Sequence, residues 1–140
     1  MQARKIIENV TEYEPNADIN LIKEAYDFAL MAHGDQKRIS GEPYIVHPLQ
    51  VAIILTGIEM DTASICAALL HDVIEDTEVT YADIAKKFGV EIAMLVDGVT
   101  KLSRIDFKSK EDAQVGNLRK MFIAMAKDIR VILIKLADRL

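Results

Sequence analysis

Tryptophan is absent from this chain, and cysteine, proline and glycine are scarce, at one, three and six among 140 residues. So few turn-forming residues lean the chain towards a helical fold. With a single cysteine no internal disulfide can form, which fits a reducing compartment such as the cytosol. Cys66 stands in Ile65-Cys66-Ala67-Ala68-Leu69, the setting of a small core residue. No apolar run approaches the ~20 residues of a membrane span. The opening Met1-Gln2-Ala3-Arg4-Lys5 meets Glu8 after only a short apolar pair, so it is no signal peptide. A soluble, cytoplasmic protein without a membrane partner is expected. A basic excess is also lacking: the net charge is −5. Broad binding of DNA or RNA is therefore not expected, because it needs a basic surface. A local Arg and Lys cluster can still serve a phosphorylated small molecule. What is plentiful is apolar: 51% of residues are hydrophobic, enough for the core of one domain.

Periodicity and capping signals place about seven helices. Asn16-Ala17-Asp18 caps a helix from about Ile19 to Ala32, ended by Gly34. Residues 36–44 form a polar loop with the turn Ser40-Gly41-Glu42-Pro43. A second helix begins near Pro48, well placed in a first turn, and stops at Gly57. Asp61 caps a third, from Thr62 to about Ile74. Thr80-Tyr81-Ala82-Asp83 opens a short helix ending at Phe88-Gly89, in a loose match to a capping box. A further helix runs from Val90 to Val96, stopped by Asp97-Gly98. Lys101 to Lys110 reads as a loop, Glu111 to Ala126 as a long helix weakened by Gly116, and Ile129 to Leu140 as a last helix capped by Asp128. No strand is convincing, so the fold class is all-α. Because the chain stops inside an apparent helix, a fragment of something longer is expected.

The chemistry concentrates in His71-Asp72-Val73-Ile74-Glu75-Asp76, directly after the apolar run Ala63–Leu70. Desolvating four titratable groups at a helix end costs several kcal/mol unless something pairs with them. At about 100° per residue, a helix would hold the four side chains within an arc of roughly 140°. A divalent cation is the economical partner, with His71 and Asp72 as ligands and Glu75 and Asp76 left to handle water. The alternative is a solvated acidic helix end. His47 precedes Pro48, which restricts its backbone to extended forms and so fixes the imidazole's direction; a structural histidine at a helix start is the competing reading. His33, beside Gly34, suits a helix C-terminus as a cation. Asp138 lies on the apolar last helix, either bridged to Lys135 three residues back or as a fourth ligand beside His47, His71 and Asp72. That mixed nitrogen and oxygen set leaves room for water and suits Mn²⁺ or Fe²⁺ better than a closed zinc site. Arg38 and Ser40, in the loop before His47, are either solvated or contacts for a phosphate or a base.

Taken together, these residues resemble the N-terminal hydrolase domain of the RelA/SpoT homologue family, the bifunctional (p)ppGpp synthetase/hydrolases, within the wider HD metal-dependent phosphohydrolases. The likeness runs from Ala25-Tyr26-Asp27-Phe28-Ala29 to Lys135-Leu136-Ala137-Asp138-Arg139-Leu140. Its most specific parts are residues 38–49, RISGEPYIVHPL, and 67–77, AALLHDVIEDT; residues 95–102, LVDGVTKL, and 117–121, NLRKM, add support. The resemblance implies an HD-type helical bundle spanning residues 1–140, with His47, His71, Asp72 and Asp138 on one Mn²⁺. It implies that Glu75 and Asp76 act on the attacking water and the substrate, that Arg38 packs on guanine, and that Ser40 touches the nucleotide nearby. The implied reaction removes the 3′-pyrophosphate from ppGpp or pppGpp, giving GDP or GTP. Three departures stand out. Ile39 replaces a frequent polar or basic residue, Gly116 replaces a usual acid, and the family continues past Leu140 into helices that help to hold the nucleotide, then into synthetase and regulatory domains. Two other functions compete: a regulatory module that binds nucleotide or metal without turnover, and an HD phosphohydrolase acting on another nucleotide. The intact Glu75-Asp76 pair opposes the first, and the Arg38 loop the second. Oligomeric state leaves no mark in the sequence.

Overall fold

A computed structural model describes residues 3–34, 41, 43, 45–103 and 128–139. Among them every regular element is a helix: α1 (Arg4–Tyr13), α2 (Ile19–His33), α3 (Val46–Gly57), α4 (Thr62–Leu70), α5 (Val73–Asp76), α6 (Tyr81–Phe88), α7 (Val90–Ser103) and α8 (Ile129–Arg139). The all-α expectation holds.

Helix α4 is the axis of the bundle. Its residues from Ala63 to Leu70 are all buried, and α2, α3, α7 and α8 pack around it. A helix apolar on every side belongs inside a fold rather than on its surface. Ala63, Ser64, Cys66, Ala67 and Ala68 keep it slim, so its neighbours approach closely, while Ile65, Leu69 and Leu70 fill the spaces between them. Each of these larger side chains contributes about 1.5–3 kcal/mol on full burial. Burial also pushes the Cys66 thiol up to about 12, as befits an inert core residue.

Local chemistry sets most helix starts. Asp18 accepts from the Leu21 amide and Asp61 from the Ser64 amide. Thr80 and Asp83 form a full reciprocal capping box, tighter than the loose match in the sequence. Asp128 accepts from the Arg130 amide at 2.9 Å. Gly89 ends α6 at φ 103°, a conformation that favours glycine.

Four expectations need correction. Helix α1 was not anticipated. It buries Ile6 and Val10 against α3, and Asn9 donates to Thr56 Oγ1 at 3.0 Å while the Tyr13 hydroxyl donates to the Met60 carbonyl at 2.7 Å. Helix α3 starts at Val46, not Pro48, so His47 is helical rather than extended. Pro48 then sits in the first turn, where its missing N–H breaks no helix hydrogen bond, and tertiary contacts of His47 override the local steric preference. The helix from Thr62 does not continue to Ile74. It stops at Leu70, turns through His71-Asp72, and resumes as the short α5. Finally, Gly98 does not stop α7, which runs on to Ser103. A Cβ at Gly98 would lie 2.8 Å from Val131 Cγ2 and 3.1 Å from its Cγ1, so the glycine lets α8 close on α7. Lys101 to Ser103, expected to open a loop, are the last residues of α7; the rest of that loop and the helix expected up to Ala126 lie outside the described residues, as do Ile39 and Gly116.

Candidate metal centre

The break after α4 is made by the imidazole itself. His71 Nδ1 lies 2.6 Å from the Ala68 carbonyl oxygen, while the His71 amide reaches the same oxygen only at 3.5 Å. A side chain that takes a helix carbonyl competes with the backbone ladder. With Nδ1–H donating to Ala68, Nε2 faces outward from the buried end of α4. That is the arrangement found around metal-binding histidines, in which one ring nitrogen is anchored and the other presented.

Three helices deliver donors to one point. His47 Nε2 from α3 lies 2.5 Å from Asp138 Oδ1 on α8. His71 Nε2, at the end of α4, lies 3.2 Å from the same oxygen. One ligand atom from each of His47, His71 and Asp138 falls within 4.8 Å of the others. The two imidazoles meet edge to face, with centroids 5.7 Å apart. Asp72 adjoins through His71, its Oδ1 3.2 Å from Nε2, but it stands outside the three-residue group. Both halves of the Asp138 alternative hold together, because Lys135 Nζ donates to Oδ2 at 2.9 Å while Oδ1 faces the histidines.

The electrostatics favour positive charge here. Burial works against a charged His71, yet the Asp138 hydrogen bond, the Asp72 charge and the Ala68 carbonyl outweigh it and raise its pKa. Burial likewise pushes the Asp138 carboxyl up, but hydrogen bonds from His47, His71 and Lys135 hold it well below the usual carboxylate range. Two presented imidazole nitrogens, an ionised carboxylate and a second carboxylate alongside form a donor set that fits a divalent cation.

Glu75 and Asp76 occupy α5, whose Val73 is buried and which packs against α2. The Asp76 amide donates to the Asp72 carbonyl at 2.9 Å, which ties the acid pair to the preceding turn. Both carboxylates line an open cleft of about 690 Å³ with Ala32, Thr77, Val79 and Asp83. Partial burial, then the charges of Asp72 and Asp76, raise the Glu75 pKa, with Lys135 and His71 opposing. A glutamate shifted upwards beside a cleft is suited to proton exchange.

The structure thus gathers His47, His71 and Asp138, sets Asp72 against them, and places Glu75 and Asp76 one turn further along. Arg38 and Ser40 lie outside the described residues. His33, expected as a helix cap, is the last residue of α2 and is buried. In the sequence Lys135 reads only as a rival to ligation by Asp138. The three-residue spacing on one helix was the signal that it could act alongside.

A family profile described as "HD domain" matches residues 25–140. The chain is 49% identical, over all of its 140 residues, to a GTP pyrophosphokinase rsh from Brucella ovis, 19% of which it covers. It is 52% identical over 130 residues to the bifunctional (p)ppGpp synthase/hydrolase SpoT of Escherichia coli K12, covering 93% of this chain and 18% of that one. The chain therefore spans about a fifth of the length of the curated relatives it matches. A solved structure, described as a metazoan orthologue of SpoT that hydrolyses ppGpp and plays a role in starvation responses, superposes with a TM-score of 0.62. It is 32% identical, over 84% of this chain and 65% of that one. No helix among the described residues is long and apolar enough to cross a membrane.

Proposed function

Because the chain belongs to the HD domain family and is the HD region of a RelA/SpoT homologue, we propose that it hydrolyses ppGpp and pppGpp at the 3′ position, with Mn²⁺ as its cation. The observation that carries this reading is the convergence of His47, His71 and Asp138, with Glu75 near enough to feel the charges of His71 and Asp72. The names of the relatives and the structural neighbour supply the substrate.

In this reading residues 1–140 form one hydrolase unit working in the cytoplasm. His47, His71, Asp72 and Asp138 hold the cation. A divalent cation there would withdraw charge from the scissile phosphate and make water a better nucleophile. Glu75, with its raised pKa, takes a proton from the attacking water, and Asp76 orients that water or the phosphate. Water oxygen bonds to the phosphorus attached to the 3′ oxygen, the bond from phosphorus to that oxygen breaks, and the ribose hydroxyl gains a proton. The products are GDP or GTP and pyrophosphate. Arg38 packs on the guanine and Ser40 contacts the nucleotide.

The test is to incubate the chain with Mn²⁺ and ppGpp and resolve the nucleotides by ion-exchange chromatography. GDP and pyrophosphate in equal amounts are expected. Mn²⁺ and nucleotide binding without GDP release would instead mark a regulatory module, and release from other nucleotides alone would mark a different phosphohydrolase.

A further inference from the structure

Lys135 stands one turn before Asp138 on α8, with its ammonium 2.9 Å from Oδ2. Pairs at this spacing are ordinarily solvated and contribute little. Lys101–Asp97 and Arg4–Glu8 are of that kind, with side chains 67% and 37%, and 80% and 55%, exposed. Lys135 and Asp138 are not, at 19% and 16%. Their carboxylate is also divided: Oδ2 takes the lysine, while Oδ1 alone meets both imidazoles.

That division matters for a metal ligand. A carboxylate can bind a cation through one oxygen or through both, and its terminal torsion is soft. An aspartate free to turn can chelate and fill two coordination positions. One whose second oxygen is committed to an ammonium offers a single donor. Building on the metal-centre reading above, we propose that Lys135 is a positioning residue for the cation, holding Asp138 to ligation through Oδ1 and so keeping a coordination position open for water or substrate.

Two further observations support it. Lysine and aspartate share one helix three residues apart, so the helix itself fixes their relative placement. The lysine's charge is also felt at Glu75, where it opposes the upward push of burial, Asp72 and Asp76. Lys135 therefore lies within electrostatic reach of both the ligand carboxylate and the acid that handles the proton.

The experiment compares the full chain with Lys135→Met, Lys135→Gln and Lys135→Arg. Mn²⁺ affinity is measured by titration calorimetry and the Co²⁺ visible spectrum is recorded as a report on coordination number. Melting temperatures in chelator verify folding. We expect Lys135→Met to tighten Mn²⁺ binding about tenfold, or about 1.4 kcal/mol, because the site gains a donor and loses a nearby positive charge, and to change the Co²⁺ bands as Asp138 chelates. Lys135→Arg restores both, and Lys135→Gln, which keeps a donor without the charge, falls between. Unchanged affinity with an unchanged Co²⁺ spectrum in Lys135→Met overturns the proposal. If that variant does not fold, Lys135→Gln decides by the same two readouts. Failure of the unsubstituted chain to bind Mn²⁺ would instead overturn the metal centre itself.

Discussion

Gly98→Ala puts the placement of Asp138 to a direct test. The added methyl would meet Val131 Cγ2 at 2.8 Å and Cγ1 at 3.1 Å, closer than packed carbons approach. Val131 is buried, and a β-branched side chain in a helix has one strongly preferred rotamer. The methyl is therefore accommodated mainly by α8 backing away from α7. Two effects oppose each other. Alanine in a helix interior gains about 1 kcal/mol over glycine, while overpacking costs about 1–3 kcal/mol. The net expectation is a loss of up to about 2 kcal/mol, and a domain of this size loses about 3–5 °C of melting temperature per kcal/mol. The sign should reverse once Val131 is trimmed. In a Val131→Ala background, where those methyls are gone, Gly98→Ala should stabilise by up to about 1 kcal/mol. Val131 stands two turns before Asp138, so Mn²⁺ affinity should fall in Gly98→Ala and recover in the double variant. Thermal melts in chelator and Mn²⁺ titrations of the four proteins form a double-mutant cycle. Equal effects of Gly98→Ala in both backgrounds would refute the steric account.

Other outcomes follow from the same structure. Glu75→Gln with Asp76→Asn should abolish ppGpp turnover yet leave Mn²⁺ affinity within about tenfold, or ~1.4 kcal/mol; loss of metal binding in calorimetry would move the pair into the ligand set. Arg130 bridges Asp61 and Asp128. Burial raises Asp61, but Ser64 and Arg130 more than offset it, and the Arg130 hydrogen bond leads the lowering of Asp128. Depressed carboxylates stabilise the fold above their unfolded pKa of about 3.9 and lose that contribution as pH falls through the folded values. Melting temperatures measured from pH 6 downwards should therefore drop less steeply below pH ~4 in Arg130→Met than in the unsubstituted chain, and parallel curves would contradict the assignment. Thr80→Ala removes the capping box of α6 and should cost about 1 kcal/mol in denaturant melts without altering Mn²⁺ affinity; a changed affinity would show that α6 supports the site.

Features governed by neighbours in sequence were legible before the fold was known. Asp18, Asp61, Thr80 and Asp128 announce helix starts because a cap needs only a short side chain and an amide two or three residues on. The run Ala63–Leu70, apolar but for Ser64, reads as a helix in the sequence, and the structure buries it on every side. What failed depended on distant atoms. Gly98 resembles a stop until Val131 arrives from α8. The turn at His71 needs an imidazole that outcompetes the backbone for the Ala68 carbonyl. His47 adopts a helical backbone because its partner, Asp138, lies 91 residues away. The amphipathic spacing of Ile6 and Val10 is present but obscured by the charges of Arg4 and Lys5 before them and Glu8 between them. Motif spacing picks out the candidate residues, while the meeting of His47, His71 and Asp138 belongs to the return of α8 across α3 and α4.

The meeting of Oδ1 with two imidazoles also works as a clasp. It joins points 91 and 67 residues apart along the chain, closing two large rings at one atom. Closing a ring grows costlier only slowly with its length, by about 0.6 kcal/mol per doubling, so joining such distant points costs little more than joining near ones. A cation held at that point would act as a reversible staple between the first half of the chain and its last helix. Each tenfold rise in free cation above the dissociation constant would add about 1.4 kcal/mol to the fold. The divalent-ion content of the surroundings would then govern how long the chain stays folded and escapes proteolysis, as well as what chemistry it performs.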